Sequence, residues 1–215
     1  MSTSIFRKYW MALTGLFLIT FLIVHLVGNL QLLWGTPEGF NEYSKFMTTF
    51  PVIKIVSYLL YASILAHAII GIALTRQNNA ARPEKYAHNK PSVNSSWASR
   101  NMAPLGVITL VFLVIHMKSF WFEMHFGNIG VDANGNKDLY TVTAAAFQQW
   151  WYVAFYVVAM AALAYHLLHG FQSAFQSMGW NHPSYTPLVK KAGAIFALVV
   201  PILFALIPVY MFLNA

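Results

Sequence analysis

The sequence predicts an all-α, polytopic membrane protein, and three observations carry that reading. Hydrophobic residues fill 58% of the 215 positions and charged residues 9%, whereas a soluble domain carries about 25% charged residues. Five apolar runs reach the ~20 residues that a helix needs to cross a hydrocarbon core of about 30 Å. The segments between them are rich in Gly, Pro, Asn and Ser, as loops are.

The expected spans are 10–34, 51–75, 102–122, 149–177 and 190–213, within one domain covering 1–215. No internal repeat is visible. The first run is too long for a signal-peptide core and lacks a small-residue cleavage site, so it reads as a retained span. Pro104 lies near the start of the third span, while Pro201 and Pro208 fall inside the fifth, which has no histidine.

Charge orients the spans. With the N-terminus inside, the inner segments hold Arg7, Lys8, Arg76, Arg82, Lys85, Lys90, Arg100, Lys190 and Lys191, and the outer ones Lys45, Lys54, Lys118 and Lys137. This bias follows the positive-inside rule and predicts a cytoplasmic N-terminus and an external C-terminus. Of the acids, Glu84 alone is inside, with Glu38, Glu42, Glu123, Asp132 and Asp138 outside. The net charge of +7 thus reports orientation rather than nucleic-acid binding. Cysteine is absent, which removes disulfides, iron–sulfur ligation, thiolate-ligated haem and covalent C-x-x-C-H haem attachment.

Five of the eight histidines, His25, His67, His116, His166 and His169, fall within the spans, whereas His88, His125 and His182 belong to loops or interfaces. Polar side chains are costly at membrane depth and are there usually paired or functional. The rise of a helix places them. Lys8 to His25 is roughly 25 Å and Arg100 to His116 about 24 Å, so both lie in the outer half. Arg76 back to His67 is about 13 Å and Trp180 back to His169 about 16 Å, so these lie in the inner half. The expected pairs are His25 with His116 and His67 with His169. Two facing imidazoles can ligate the iron of a b-type haem, and two such sites would form an electron path across the membrane. Zinc needs further ligands at each depth. A proton or ion transporter using these histidines is the alternative, although no Asp or Glu lies inside a span and transporters usually bring intramembrane carboxylates.

The first span reads MALTGLFLITFLIVHLVGNLQLL, the second contains AHAIIGI, the third contains MAPLGVITLVFLVIHMKSFW, and the fourth contains YHLLHGFQSAFQSMGW. In this order and spacing, nearly the whole chain resembles the cytochrome b558 membrane subunits of succinate dehydrogenase and fumarate reductase. The resemblance implies a five-helix bundle enclosing two haems b in the cell membrane. It further implies a flavoprotein carrying FAD and an iron–sulfur protein docked on the cytoplasmic side, the long basic loop from Arg76 to Arg100 suiting the latter. Electrons would exchange with a membrane quinone, menaquinone being the expected one. The chain would be non-catalytic alone and act as the electron-transfer subunit of respiratory complex II, with a dimer of heterotrimers left open. The family pattern gives the inner haem to the second and fourth spans and the outer haem to the first and third.

In the fourth span the family's ligand aligns with the histidine before glycine, His169. His166 stands one turn away as an alternative ligand or a supporting residue. Some relatives carry a glutamate shortly before the ligand, associated with transmembrane proton movement; Leu167 and Leu168 stand here instead, which puts that path in doubt. Thr14, Ser63 and Ser173 are candidates to support the imidazoles, although ordinary helix packing explains each equally well. Arg76, Arg100 and Trp180 are candidate partners for haem propionates. Asn29, Gln31, Glu42 and Tyr43 are candidates for a quinone site beside the outer haem.

Overall fold

The computed structural model describes residues 4–81 and 95–214 and is all-helical apart from an isolated bridge between Val131 and Lys137. Arg82, Glu84, Lys85, His88 and Lys90 lie outside the described residues. The helices are α1 (Ser4–Asn29), α2 (Gln31–Trp34), α3 (Pro37–Thr49), α4 (Pro51–Ala80), α5 (Trp97–Arg100) and α6 (Met102–His116). A π-helical turn (Met117–Phe122) follows, then α7 (Glu123–Phe126), α8 (Leu139–Phe147), α9 (Trp150–Ser177) and α10 (Thr186–Leu213).

Five segments are long and apolar enough to span a membrane: Ile5–Trp34, Pro51–Ala80, Met102–Phe126, Trp150–Ser177 and Thr186–Leu213. The protein is therefore a multi-pass helical membrane protein. Helix α4 runs five residues beyond the expected 75, because Arg76 to Ala80 continue the helix as a polar tail.

Helices α1, α4, α6 and α9 pack in a ring, and α10 lies against α9 and α1. Helix α9 is the mast of the bundle. Tyr152, Tyr156, Ala159, Leu163 and Leu167, spaced three or four apart, are all buried, the periodicity of one helical face. On α4 only Leu60 is fully buried; one side of the helix is half-buried against α1 and α6 and the other is left for lipid. Pro201 and Pro208 are fully buried in α10. Each removes one backbone donor, a loss that a membrane helix accommodates where neighbouring helices pack over the site.

The α9–α10 seam closes over Gly193. A Cβ built there would stand 2.6 Å from Cδ1 of Phe171, whose ring is stacked on Phe175 and tilted against Phe196. Gly193→Ala is expected to destabilise the protein by about 1–3 kcal/mol through overpacking, read as a lower thermal midpoint in detergent.

Besides the single-turn helices α5 and α7, two longer helices appear in segments that the sequence presents as loops, and they cap the end of the bundle opposite the N-terminus. Helix α3 starts where Thr36 Oγ1 accepts from the Gly39 N–H, with Pro37 in the first turn, a strong N-terminal signal. Helix α8 starts where Asp138 accepts from the Thr141 N–H and hydroxyl. Asn41, with no solvent exposure, joins the two: its Nδ2 donates to Asp138 Oδ1 at 3.0 Å and its Oδ1 accepts from the Tyr140 N–H at 2.9 Å. Lys45 donates to Asn136 Oδ1 at 2.9 Å across the same interface.

Desolvation works against the Asp138 carboxylate, but hydrogen bonds from Thr141 and Asn41 outweigh it and hold its carboxyl below the usual carboxylate range. A depressed carboxyl stabilises the fold above its unfolded pKa of about 3.9 and loses that contribution as pH falls through the lower folded value. Hydrogen exchange at Tyr140 and Thr141 should therefore accelerate below about pH 4, beyond the intrinsic pH trend. The Asp138→Asn variant should lack that acceleration.

Candidate functional site: two imidazole pairs

Four of the five span histidines meet in twos. His25 on α1 and His116 at the end of α6 have ring centroids 5.7 Å apart with perpendicular planes. Aromatic rings surround them: Phe21 stacks on His25 at 5.0 Å, Phe204 lies at 5.6 Å, and Phe112 and Phe120 flank His116 at 5.6 and 5.4 Å. The π turn starts directly after His116. A π turn adds a residue to the helical repeat and is frequent at functional sites.

Each of these imidazoles has a polar partner. Asn29 Nδ2 lies 3.3 Å from His25 Nδ1 and donates to the His25 carbonyl at 2.8 Å. His116 Nδ1 lies 3.0 Å from the Tyr156 hydroxyl, which is 3.4 Å from that of Tyr152. Neither tyrosine is among the candidates that the sequence offers. Their i, i+4 spacing inside an apolar span was the available signal.

His67 on α4 faces His166 on α9, with ring centroids 6.3 Å apart and planes at 61°. The Thr14 hydroxyl donates to the Trp10 carbonyl at 2.8 Å and lies 3.1 Å from His67 Nδ1. With its own proton so used, that oxygen accepts from the imidazole N–H, which places the His67 proton on Nδ1 and leaves Nε2 with a free lone pair. Of Thr14, Ser63 and Ser173, it is Thr14 that reaches an imidazole. Glycines sit at the same level: a Cβ on Gly15 would stand 3.4 Å from His67 Cε1, and one on Gly106 3.7 Å from His166 Cε1.

His169 is half-buried one turn nearer the N-terminal end of the bundle, and no ring contact joins it to His67 among the described residues. The space over Gly170 is open, with no atom within 4 Å of a built Cβ. His166 Nδ1 is buried and has no hydrogen-bond partner.

Two helices measure the separation of the levels independently. Gly15 and His25 on α1, and Gly106 and His116 on α6, are each ten residues apart, so the pairs stand about 15 Å apart along the bundle. Among the described residues no three of His, Asp and Glu converge. Paired imidazoles without a third ligand suit a planar metal macrocycle, which brings its own four donors, better than a bare tetrahedral ion.

The remaining candidates divide. Asn29 reaches His25, and Tyr43 packs its ring against Gly28, three residues beyond His25, where a Cβ would overlap it at 2.4 Å. Burial pushes the Tyr43 phenol up. Gln31 opens α2. Glu42 is exposed and lines a surface cavity of about 440 Å³ with Lys45, Phe46, Thr49, Asn134 and Asn136. At the other end Arg100 donates to the Ser95 carbonyl, Trp180 packs edge-on to Phe175, and Arg76 is exposed on the tail of α4. None of these three is brought onto an imidazole by a hydrogen bond or ring contact among the described residues.

Comparison with known proteins finds no matching family model, no matching curated protein and no matching solved structure. The functional reading therefore rests on the chain's own residues and geometry and on the family resemblance of its sequence.

Proposed function

We propose that the chain is a diheme cytochrome b membrane anchor, the electron-transfer subunit of a succinate:quinone oxidoreductase. The observation that carries the reading is the two imidazole pairs, at 5.7 and 6.3 Å, on two levels of one bundle. Imidazoles on opposite sides of one metal, each about 2 Å from it, have centroids about 6 Å apart. The donor chemistry fits as well: neutral imidazoles, apolar walls and glycines beside the His67/His166 pair suit a flat hydrophobic cofactor.

In this reading His25 and His116 hold one haem b, and His67 and His166 hold the other. His166 is preferred to His169 because its ring faces His67 and its buried Nδ1 lacks a protein partner. Haem supplies one-electron chemistry when bound. The chain's residues do the rest: Thr14 fixes the His67 tautomer, Phe21, Phe112, Phe120 and Phe204 exclude water around His25 and His116, and the helices set the separation. Asn29 and Tyr43 are the polar groups best placed for a quinone near His25.

Orientation by the basic residues puts the N-terminus and the His67/His166 level on the cytoplasmic side of the cell membrane. The iron–sulfur and FAD-bearing partners would dock there, and the quinone, menaquinone by expectation, would react near the other level.

Haem quantified by pyridine haemochrome on the detergent-purified chain tests the proposal. Two haems b per chain are expected. None in a folded preparation would overturn it and favour a transporter built on intramembrane histidines.

A further inference from the structure

We propose that Tyr156 is the positioning residue of the His25/His116 site: its hydroxyl accepts the Nδ1–H of His116, leaving Nε2 as the ligating nitrogen, and Tyr152 backs it. The inference rests on the haem reading above and deepens it.

Tyr156 and Tyr152 are both almost fully buried. The Tyr156 ring is held edge-on by Phe112 at 4.9 Å and Phe147 at 5.1 Å, and Tyr152 lies beside it at 4.9 Å. A phenol caged this way keeps its oxygen at one place. That place is 3.0 Å from His116 Nδ1.

Ligation through Nε2 requires the His116 proton on Nδ1, and that sets the direction of the hydrogen bonds. The Tyr156 oxygen then accepts from the imidazole, and its own proton turns toward the Tyr152 oxygen, 3.4 Å away. An imidazole that donates from Nδ1 carries its lone pair on Nε2, and a good acceptor on the far nitrogen makes it a stronger donor to a metal. A stronger donor favours ferric over ferrous iron, so the acceptor lowers the site's potential. Thr14 performs the same service for His67 with an aliphatic hydroxyl. The two levels thus use unlike acceptors, and each can be changed by itself.

The test is a redox titration of the purified holoprotein, wild type against Tyr156→Phe and Tyr152→Phe, followed through the haem absorbance, with haem content measured in parallel. Tyr156→Phe should retain two haems and raise the midpoint potential of one of them, leaving the other in place. Tyr152→Phe should raise the same haem by less, because it only weakens the Tyr156 oxygen as an acceptor. Unchanged potentials in a Tyr156→Phe protein with two haems would overturn the inference and leave the haem reading standing. Equal shifts of both haems would also overturn it. If Tyr156→Phe loses a haem, Tyr152→Phe decides: a rise in one potential supports the inference, and none overturns it. A wild-type chain without haem would remove both the reading and the inference.

Discussion

Alanine at His166 should halve the haem content of the purified chain, from two haems to one, while alanine at His169 should leave both in place. His166 is the residue whose ring lies 6.3 Å from His67, about the centroid separation of two axial imidazoles. An axial ligand cannot be replaced by a methyl group, and no Asp, Glu or Cys lies inside the bundle to substitute for it. The absorbance of the surviving haem and the ratio of haem to protein give the readout. The reverse result, loss through His169→Ala and retention through His166→Ala, would return the ligand to the position before Gly170 and require α9 to be rotated from the packing described.

Asn41→Ala should lower stability by about 2–3 kcal/mol, the cost of leaving a buried partner unsatisfied plus a lost charge-assisted hydrogen bond. Asn41 is fully buried and joins α3 to Asp138 and to the first turn of α8. Its removal strands the Tyr140 N–H and takes one donor from the Asp138 carboxylate. The loss should appear as a lower unfolding midpoint in detergent and as faster hydrogen exchange confined to α3, the 127–138 loop and α8. An unchanged midpoint would mean that water replaces the amide on both partners.

Much of the fold was legible because a bilayer asks a coarse question of a sequence. A run of some twenty apolar residues satisfies its backbone internally as a helix, whatever its neighbours. The ends at Pro51, Met102 and Leu213 followed from that. Helices α3 and α8 did not, since they are partly polar and lie outside the spans; their local signals, Thr36-Pro37 and Asp138 with Thr141, are the cues for short capped helices.

The span histidines were legible as a set, because imidazole in an apolar run is costly wherever the run ends up. Their partners were not. Three residues along a helix turn about 300°, so His166 and His169 differ by only about 60° in azimuth, and depth differs by less than a turn. Either can face α4 until the rotation of α9 is known. That rotation is set by contacts far apart in the chain: Phe171 against Gly193, and the buried stripe from Tyr152 to Leu167 against α6, α10 and α1.

The sequence by itself determined a five-span helical membrane protein with imidazoles in four of its helices, because hydrophobicity and helix rise act locally along the chain. Only the tertiary structure decided which imidazoles meet, that Thr14 and Tyr156 stand behind them, and that Glu42 lines a surface cavity. Those are properties of how helices rotate and mesh, and close packing between distant residues settles them.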